Sequence, residues 1–293
     1  MDSREKAILK TLLYSNFFDY PLRIEEIYKF LITDQKIDKA QFHKSLQKVK
    51  SQVKTKDGFY FLSGRNELVQ IRKEREKVSL GKMQKTKKII SVLSLIPTIK
   101  LIGVSGTLSM KNSTQGDDID IFVITKKGFI WTTRMLMIII LLVLGVYRTK
   151  NSKAYSDKIC LNMLVDENSL RLEKNLYIAH EIAQLVPVFE RENAYRQFLQ
   201  KNNWVDGFMI NALSGQKDYL KKESGIIDKI FIYLFGLFAF EKIAKFFQLS
   251  YMKKNITTET VEDNVLRLHP FDYGSYILED YDKKINLLPK ISF

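Results

Sequence analysis

The middle of the chain is constrained by two apolar runs with a small-residue turn between them. Leu101 to Val104 ends in Ser105-Gly106-Thr107, ten residues follow, and Asp118-Ile119-Asp120 opens a second run that ends at Thr125. Short apolar runs bounded by small polar residues predict two strands. Side chains alternate across a strand, so Asp118 and Asp120 take one face while Ile119, Ile121 and Val123 take the other. Two carboxylates on one face are able to share a divalent cation.

The chemistry that uses such a pair is phosphoryl or nucleotidyl transfer. A hard ion such as Mg²⁺ (or Mn²⁺) prefers a few carboxylates together with the phosphate oxygens of its substrate. The turn supplies the other half: Gly106 permits close backbone approach, and a helix starting near Thr107 adds free N–H groups to the Ser105 and Thr107 hydroxyls as an anion site.

Gly106-Thr107, ten residues and Asp118-Ile119-Asp120 in an apolar strand resemble the signature of the DNA polymerase beta-like nucleotidyltransferase superfamily. Thr107 stands where serine is commoner and keeps the hydroxyl. The resemblance runs from Lys100 to Asp166 and implies an α/β (α+β) core, a mixed sheet with helices, over residues 98–170. It implies Mg²⁺-dependent transfer of a nucleoside monophosphate from a nucleoside triphosphate. Asp118 and Asp120 would be the catalytic metal ligands, and Ser105, Gly106 and Thr107 would hold phosphate. In this superfamily a third carboxylate, placed to activate the attacking group, often comes from the next strand, which is expected over Lys158 to Val165. No acid sits in the middle of that stretch: Asn162 holds the central polar position and Asp157 lies just ahead of it. An asparagine can offer an oxygen to a metal but cannot take a proton. Three readings stay open: Asp157 reaches in, the acceptor needs no base, or the site binds nucleotide without turnover.

Charge is unevenly distributed. The net charge is +14, and residues 1–100 carry 22 Lys and Arg against 11 Asp and Glu, whereas residues 101–293 carry 25 against 22. A basic N-terminal part points to an anionic partner such as nucleic acid, or to a solvated surface. Apolar positions Ala7, Ile8, Leu12 and Leu13, then Ile24, Ile27, Tyr28 and Leu31, recur at helical spacing. Asp38 followed by Gln41 predicts a capped third helix to about Lys50, and Asp57-Gly58 predicts a tight hairpin. Three helices and a hairpin in residues 1–65 resemble the winged helix-turn-helix family, which implies that Lys44, Lys48 and Lys50 read nucleic acid and that Lys54 and Lys56 on the wing meet phosphate. A winged helix also serves as a docking or substrate-clamping module.

Residues 66–97 are expected to form a charged linker helix with a solvated face, stopped by Pro97. The most hydrophobic stretch, Phe129 to Tyr147, is interrupted by Arg134, and its unbroken part is 13 residues, short of the roughly 20 that a spanning helix needs. Because it lies between two strands of one sheet, it is expected to be a buried helix, and Ile230 to Phe240 likewise; no stable membrane span is expected. From Leu176 the pattern is helical to the end, which predicts a helical domain over residues 171–293, with Leu268-His269-Pro270-Phe271-Asp272 either a cap over a pocket or an ordinary loop. Met163, Met209 and Met252 read as core. A single cysteine, Cys160, rules out an internal disulfide framework and suits the cytoplasm, and the charged N-terminus does not read as a secretory signal. Two functions compete: a nucleotidyltransferase acting on RNA, protein or a small molecule, and a winged-helix regulator whose transferase fold binds nucleotide without turnover.

Overall fold

A computed structural model of the chain describes residues 1–149, 155–213, 219–237, 240–252, 259–268 and 273–286. It is a mixed α/β protein whose centre is a seven-stranded mixed sheet, with a three-helix unit carrying a small sheet at its N-terminus.

In that unit α1 (Ser3–Asn16) starts at Asp2, which accepts from the N–H groups of Arg4 and Glu5 while Glu5 accepts from the Asp2 N–H. This reciprocal cap satisfies donors that a helix start otherwise leaves open. The short β1 (Leu22–Arg23) runs into α2 (Ile24–Lys29), and α3 (Lys39–Lys48) begins where Asp38 accepts from the Gln41 N–H at 2.7 Å. Strands β2 (Val53–Lys56) and β3 (Phe59–Leu62) pair antiparallel, with β1 on the far side of β3. Asp57 and Gly58 join them with φ of +52° and +78°, the left-handed pair that matches hairpin twist. Ile8, Leu12, Ile27, Phe42 and Leu46 fill this unit's core.

Helix α4 (Leu68–Leu93) is more than a linker with a solvated face. Its Arg72, Ser79 and Lys82 are buried. The Arg72 guanidinium donates to Glu26, Glu76 and the Pro21 carbonyl and lies 3.7 Å from the centre of the Tyr20 ring. Lys82 Nζ donates to the carbonyls of Gln115 and Asp117 at 3.2 and 2.5 Å. The helix therefore ties the N-terminal unit to the loop that carries the aspartates.

The large sheet contains β4 (Ile99–Val104), β5 (Ile119–Thr125), β6 (Ile159–Asp166), β7 (Val186–Arg191), β8 (Leu220–Lys222), β9 (Thr260–Val261) and β10 (Val265–Arg267). They lie in the order β8-β7-β4-β5-β6-β10-β9. The β4–β5 pair is antiparallel and joined by α5 (Gly106–Ser109); β5 and β6 are parallel and joined through α6 (Ile130–Val143). Side chains such as Ile102, Ile121, Val123 and Leu164 are fully buried, each contributing about 1.5–3 kcal/mol by leaving water.

Past Leu176 the structure departs from an all-helical reading. Helices α7 (Leu176–Gln184), α8 (Ala194–Lys201), α9 (Ile226–Leu237), α10 (Phe240–Met252) and α11 (Tyr273–Ile285) are present, but β7 to β10 lie among them and extend the sheet on both sides. Residues 98–170 thus hold only part of the sheet. The β7 stretch hides itself because it contains Pro187 and ends in Glu190-Arg191. Pro187 is tolerated where β7 pairs with β4 alone, since β8 pairs with β7 only from Phe189 onward. Glu190 accepts from the Tyr195 N–H, and buried Arg191 donates to the carbonyls of Ser94, Ile96 and Ile99.

Helix α6 packs against α10, whose Glu241 accepts from the first-turn N–H groups of Trp131 and Thr132 at 2.8 Å. The expectation that both apolar stretches are buried holds in part for α6, where Trp131, Met137 and Leu141 are buried but Ile139, Leu142 and Val143 are exposed, and fails for α9, where Ile230, Tyr233 and Leu234 are exposed and no described apolar side chain is buried. One helix face packs on the protein, and an all-apolar helix then leaves its other face in solvent. Among the described residues no helix is long and apolar enough to cross a membrane. Met209 is buried and Met163 and Met252 pack against the core; His269 to Asp272 lie outside the described residues.

Candidate active site

The turn after β4 is built around Gly106. Its φ is +61°, and a Cβ there would lie 2.6 Å from Asp120 Oδ2, so any side chain would displace the carboxylate. The Ser105 N–H donates to the Asp120 carbonyl at 3.0 Å, fixing the turn against the start of β5. A single helical turn, α5, starts at Gly106. Thr107 Oγ1 lies 3.1 Å from Ser113 Oγ and donates to Asp117 Oδ2 at 3.2 Å. Asp117 also accepts from the Thr114 N–H and hydroxyl, which makes it a brace for the loop.

Asp118 immediately precedes β5 and Asp120 is its second residue, and the two carboxylates face one another across Ile119 as strand alternation requires. Opposite Asp120 in the parallel register lies Cys160. One ligand atom from each of Asp118, Asp120 and Cys160 falls within 4.8 Å of the others. Asp120 Oδ1 is buried with no hydrogen-bond partner. Burial, and then the neighbouring Asp118 carboxylate, push the Asp120 carboxyl up to about 7, against the opposing pull of the Cys160 thiol and Arg148. Burial, followed by Asp120, pushes the Cys160 thiol well above its usual range, so it stays protonated at neutral pH. Arg148 sits between them: Nη1 is 2.8 Å from Asp118 Oδ2 and donates to Cys160 Sγ at 3.3 Å, with Tyr155 4.7 Å beneath the guanidinium.

These features fit a hard divalent cation. An orphaned buried carboxylate oxygen and two acids close together favour a positive charge, and the Arg148 guanidinium supplies one at Asp118. Mg²⁺ is typically held by one or two carboxylates plus substrate phosphates, which Asp118 and Asp120 satisfy, whereas a protonated thiol is a poor ligand for it.

Asp157 does not join the pair. Its backbone is left-handed at φ +59°, and its carboxylate meets Lys85 at 2.6 Å and Lys82 at 3.2 Å, which hold its pKa below the usual range. Asn162 is buried beside the turn, its Nδ2 3.5 Å from Ser105 Oγ, at a register shift where β6 has one residue more than β5. The acid that does approach is Glu181 on α7, which sequence reasoning missed. Burial, together with the Asp120 charge, pushes its carboxyl up to about 7. A signal was present: positions 177, 178, 184 and 185 are Tyr, Ile, Gln and Leu, so this helical acid has no cation at the spacings where one would pair with it.

Two compartments open around these residues. The first, 360 Å³, includes Ser105, Asn175, Glu173, Arg267 and Thr260 in its wall; the second, 300 Å³, includes Gly106, Thr107 and Asp120. Asn162, Tyr177, Glu181 and Tyr273 line both. Lys44, Lys48, Lys50, Lys54 and Lys56 are all exposed and line neither; Lys48 is paired with Asp2 and Glu5 at the start of α1. No family model matches the chain, and no curated protein or solved structure shows significant similarity to it.

Proposed function

We propose that the chain is a nucleotidyltransferase of the polymerase beta-like type, moving a nucleoside monophosphate from a nucleoside triphosphate to an acceptor. The observation that carries the reading is Gly106 set directly against Asp120, because a backbone turn in contact with a metal-binding carboxylate is where phosphate and cation must meet. Asp118 and Asp120 would hold Mg²⁺ or Mn²⁺, which when bound offsets negative charge on the phosphates. Gly106 and Thr107 orient the phosphate chain through their backbone N–H groups, with the Ser105 and Thr107 hydroxyls beside them, while the Ser105 N–H stays on the Asp120 carbonyl. Glu181 stands in the role left open by Asn162 and Asp157: a carboxylate in a poorly solvated wall accepts a proton from the attacking hydroxyl near neutral pH. The cytoplasmic nucleotide pool would supply the donor.

The test is incubation with each of four α-labelled nucleoside triphosphates and Mg²⁺ or Mn²⁺, with RNA, protein extract and small molecules as acceptors. Transfer by the native chain and its loss in Asp118→Ala and Asp120→Ala is expected; transfer that survives both substitutions refutes the assignment. A second reading, a winged-helix nucleic-acid binder with a silent nucleotide site, is favoured by the exposed Lys44, Lys50, Lys54 and Lys56. It requires salt-dependent nucleic-acid binding that weakens on neutralising those lysines and ignores Asp118→Ala.

A further inference from the structure

The N-terminal unit is docked on the reaction centre. Tyr14 of α1 stacks face to face on His180 of α7, with ring centroids 3.9 Å apart, and both rings are buried. Tyr20 donates to the Met110 carbonyl at 2.6 Å, Asn112 donates to the Phe18 carbonyl at 2.9 Å, and Tyr281 donates to the Lys10 carbonyl at 3.3 Å. Through these contacts α1 and the segment after it become a wall of the second compartment, opposite Asp120 and Glu181.

The content of that compartment is selective. Among the described residues its wall includes the rings of Tyr14, Phe18, Tyr20, Phe30, Tyr177 and Tyr273 but no lysine or arginine. Its volume of 300 Å³ matches a molecule of one or two rings. Its Gly106–Thr107 corner, beside Asp120, is where the triphosphate of the nucleotide reaches in on the reading above; a nucleic-acid strand would bring further phosphates, and the exposed lysines able to meet them lie on α3 and β2, which contribute nothing to this wall. The first compartment differs: it offers Asn175, Thr260, Glu173 and Arg267, polar edges suited to a nucleoside. Asp120 lines the second compartment and not the first, so an attacking oxygen placed beside both Asp120 and Glu181 must come from the second.

We propose that this second compartment is the acceptor site, and that the acceptor is a small, uncharged, ring-bearing molecule with a free hydroxyl. The assignment rests on the nucleotidyltransferase reading above for its chemistry, though not for its binding. The acceptor oxygen forms a bond to the α-phosphorus, the bond from that phosphorus to the α–β bridging oxygen breaks, pyrophosphate leaves, and the hydroxyl proton passes to Glu181. Gln184 lines this compartment alone and is only partly buried, which makes it the place to fill the space without disturbing the nucleoside side.

The test uses the full chain and 2-naphthol as probe. Saturation-transfer NMR measures its binding, labelled nucleoside triphosphate with Mn²⁺ is titrated separately, and transfer of label is followed to 2-naphthol, tyrosol, total RNA and protein extract. Binding of 2-naphthol that weakens at least tenfold in Gln184→Trp, with nucleotide binding kept, is the expected result, together with label on a ring hydroxyl. Should Gln184→Trp fail to fold, Tyr14→Ala in the native-like fraction and nuclear Overhauser contacts from 2-naphthol to the Tyr14 and Phe30 rings decide the same point. No binding by the native chain, binding unchanged on filling, or label directed to RNA or protein overturns the proposal. Loss of nucleotide binding alone would instead overturn the transferase reading, while the probe contacts would still decide the site.

Discussion

Helix α4 and the pair α9–α10 invert what their compositions suggest. The first is dense in Lys, Arg and Glu, yet Arg72 and Lys82 are only 1% and 3% exposed; the second pair is dense in Ile, Leu and Phe, yet Phe246 and Tyr251 are 68% and 77% exposed. The difference is supply of partners. Arg72 meets two carboxylates, a carbonyl and a ring face, and these outweigh the cost of burial, so its pKa is raised although burial alone lowers it. Lys82 is met by two carbonyls and by Asp157. Apolar side chains on α10 find cover on the face turned to α6 and the core, α9 packs on α10, and side chains such as Phe246, Tyr251 and Tyr233 stay in solvent. Burial thus follows what the surroundings can satisfy, not hydropathy alone.

That contrast is open to direct tests. Arg72→Ala removes the buried cation that joins Glu26, Glu76, the Pro21 carbonyl and the Tyr20 ring, leaving Glu76 to Arg23 and Glu26 to Tyr20 and the Arg23 N–H, with an expected loss of about 3 kcal/mol in denaturant unfolding. A loss below about 1 kcal/mol would mean that α4 is the solvated linker its composition suggests. Lys82→Met keeps the aliphatic stem but uncaps the Gln115 and Asp117 carbonyls and should cost about 1–3 kcal/mol, with Asp157 still held by Lys85.

His180 tests burial by a ring partner instead of a charged one. Burial pulls its pKa down to about 3 from 6.5, so the folded chain resists a proton that the unfolded chain accepts. Its contribution to stability is full above pH 6.5 and is lost as pH falls toward 3, at up to about 1.4 kcal/mol per pH unit. Asp120 and Glu181, both pushed up to about 7, take up protons in the folded chain over the same range and act in the opposite sense, so the test is the difference: between pH 7 and 5 the urea midpoint of the native chain should fall relative to that of His180→Phe, which keeps a ring against Tyr14. The smallest effect is expected on α10: Phe246→Ser and Tyr251→Ser should move stability by no more than about 0.5 kcal/mol. A larger loss would show that those rings are covered in solution.

The strands carrying the candidate site were legible because each announces itself locally. β4, β5 and β6 are apolar runs with sharp ends, Gly106 sits where a turn is forced, and Asp57-Gly58 makes its hairpin without help from the rest of the chain. What was not legible depends on distant contacts. β7 carries a proline and ends in two charges that are buried only because β4, α8 and the end of α4 satisfy them. Asp157 lies next to a strand as a reaching ligand would, but Lys82 and Lys85, more than seventy residues earlier, hold it elsewhere. Glu181 sits beside His180 on a helix whose apolar pattern reads as core. Only the folded chain brings it near Asp120.

The Tyr14–His180 stack has a consequence for how such a chain changes over time. The paired carboxylates and the Gly106 turn lie on one stretch of sequence, and a wall of the compartment beside them lies on another, ninety residues earlier. Substitutions in α1 can therefore reshape that compartment while Asp118, Asp120 and the Gly106 turn stay untouched. On the proposed transferase reading, reaction type and choice of molecule are inherited on separate segments, and two chains sharing every residue of the first can diverge through the second.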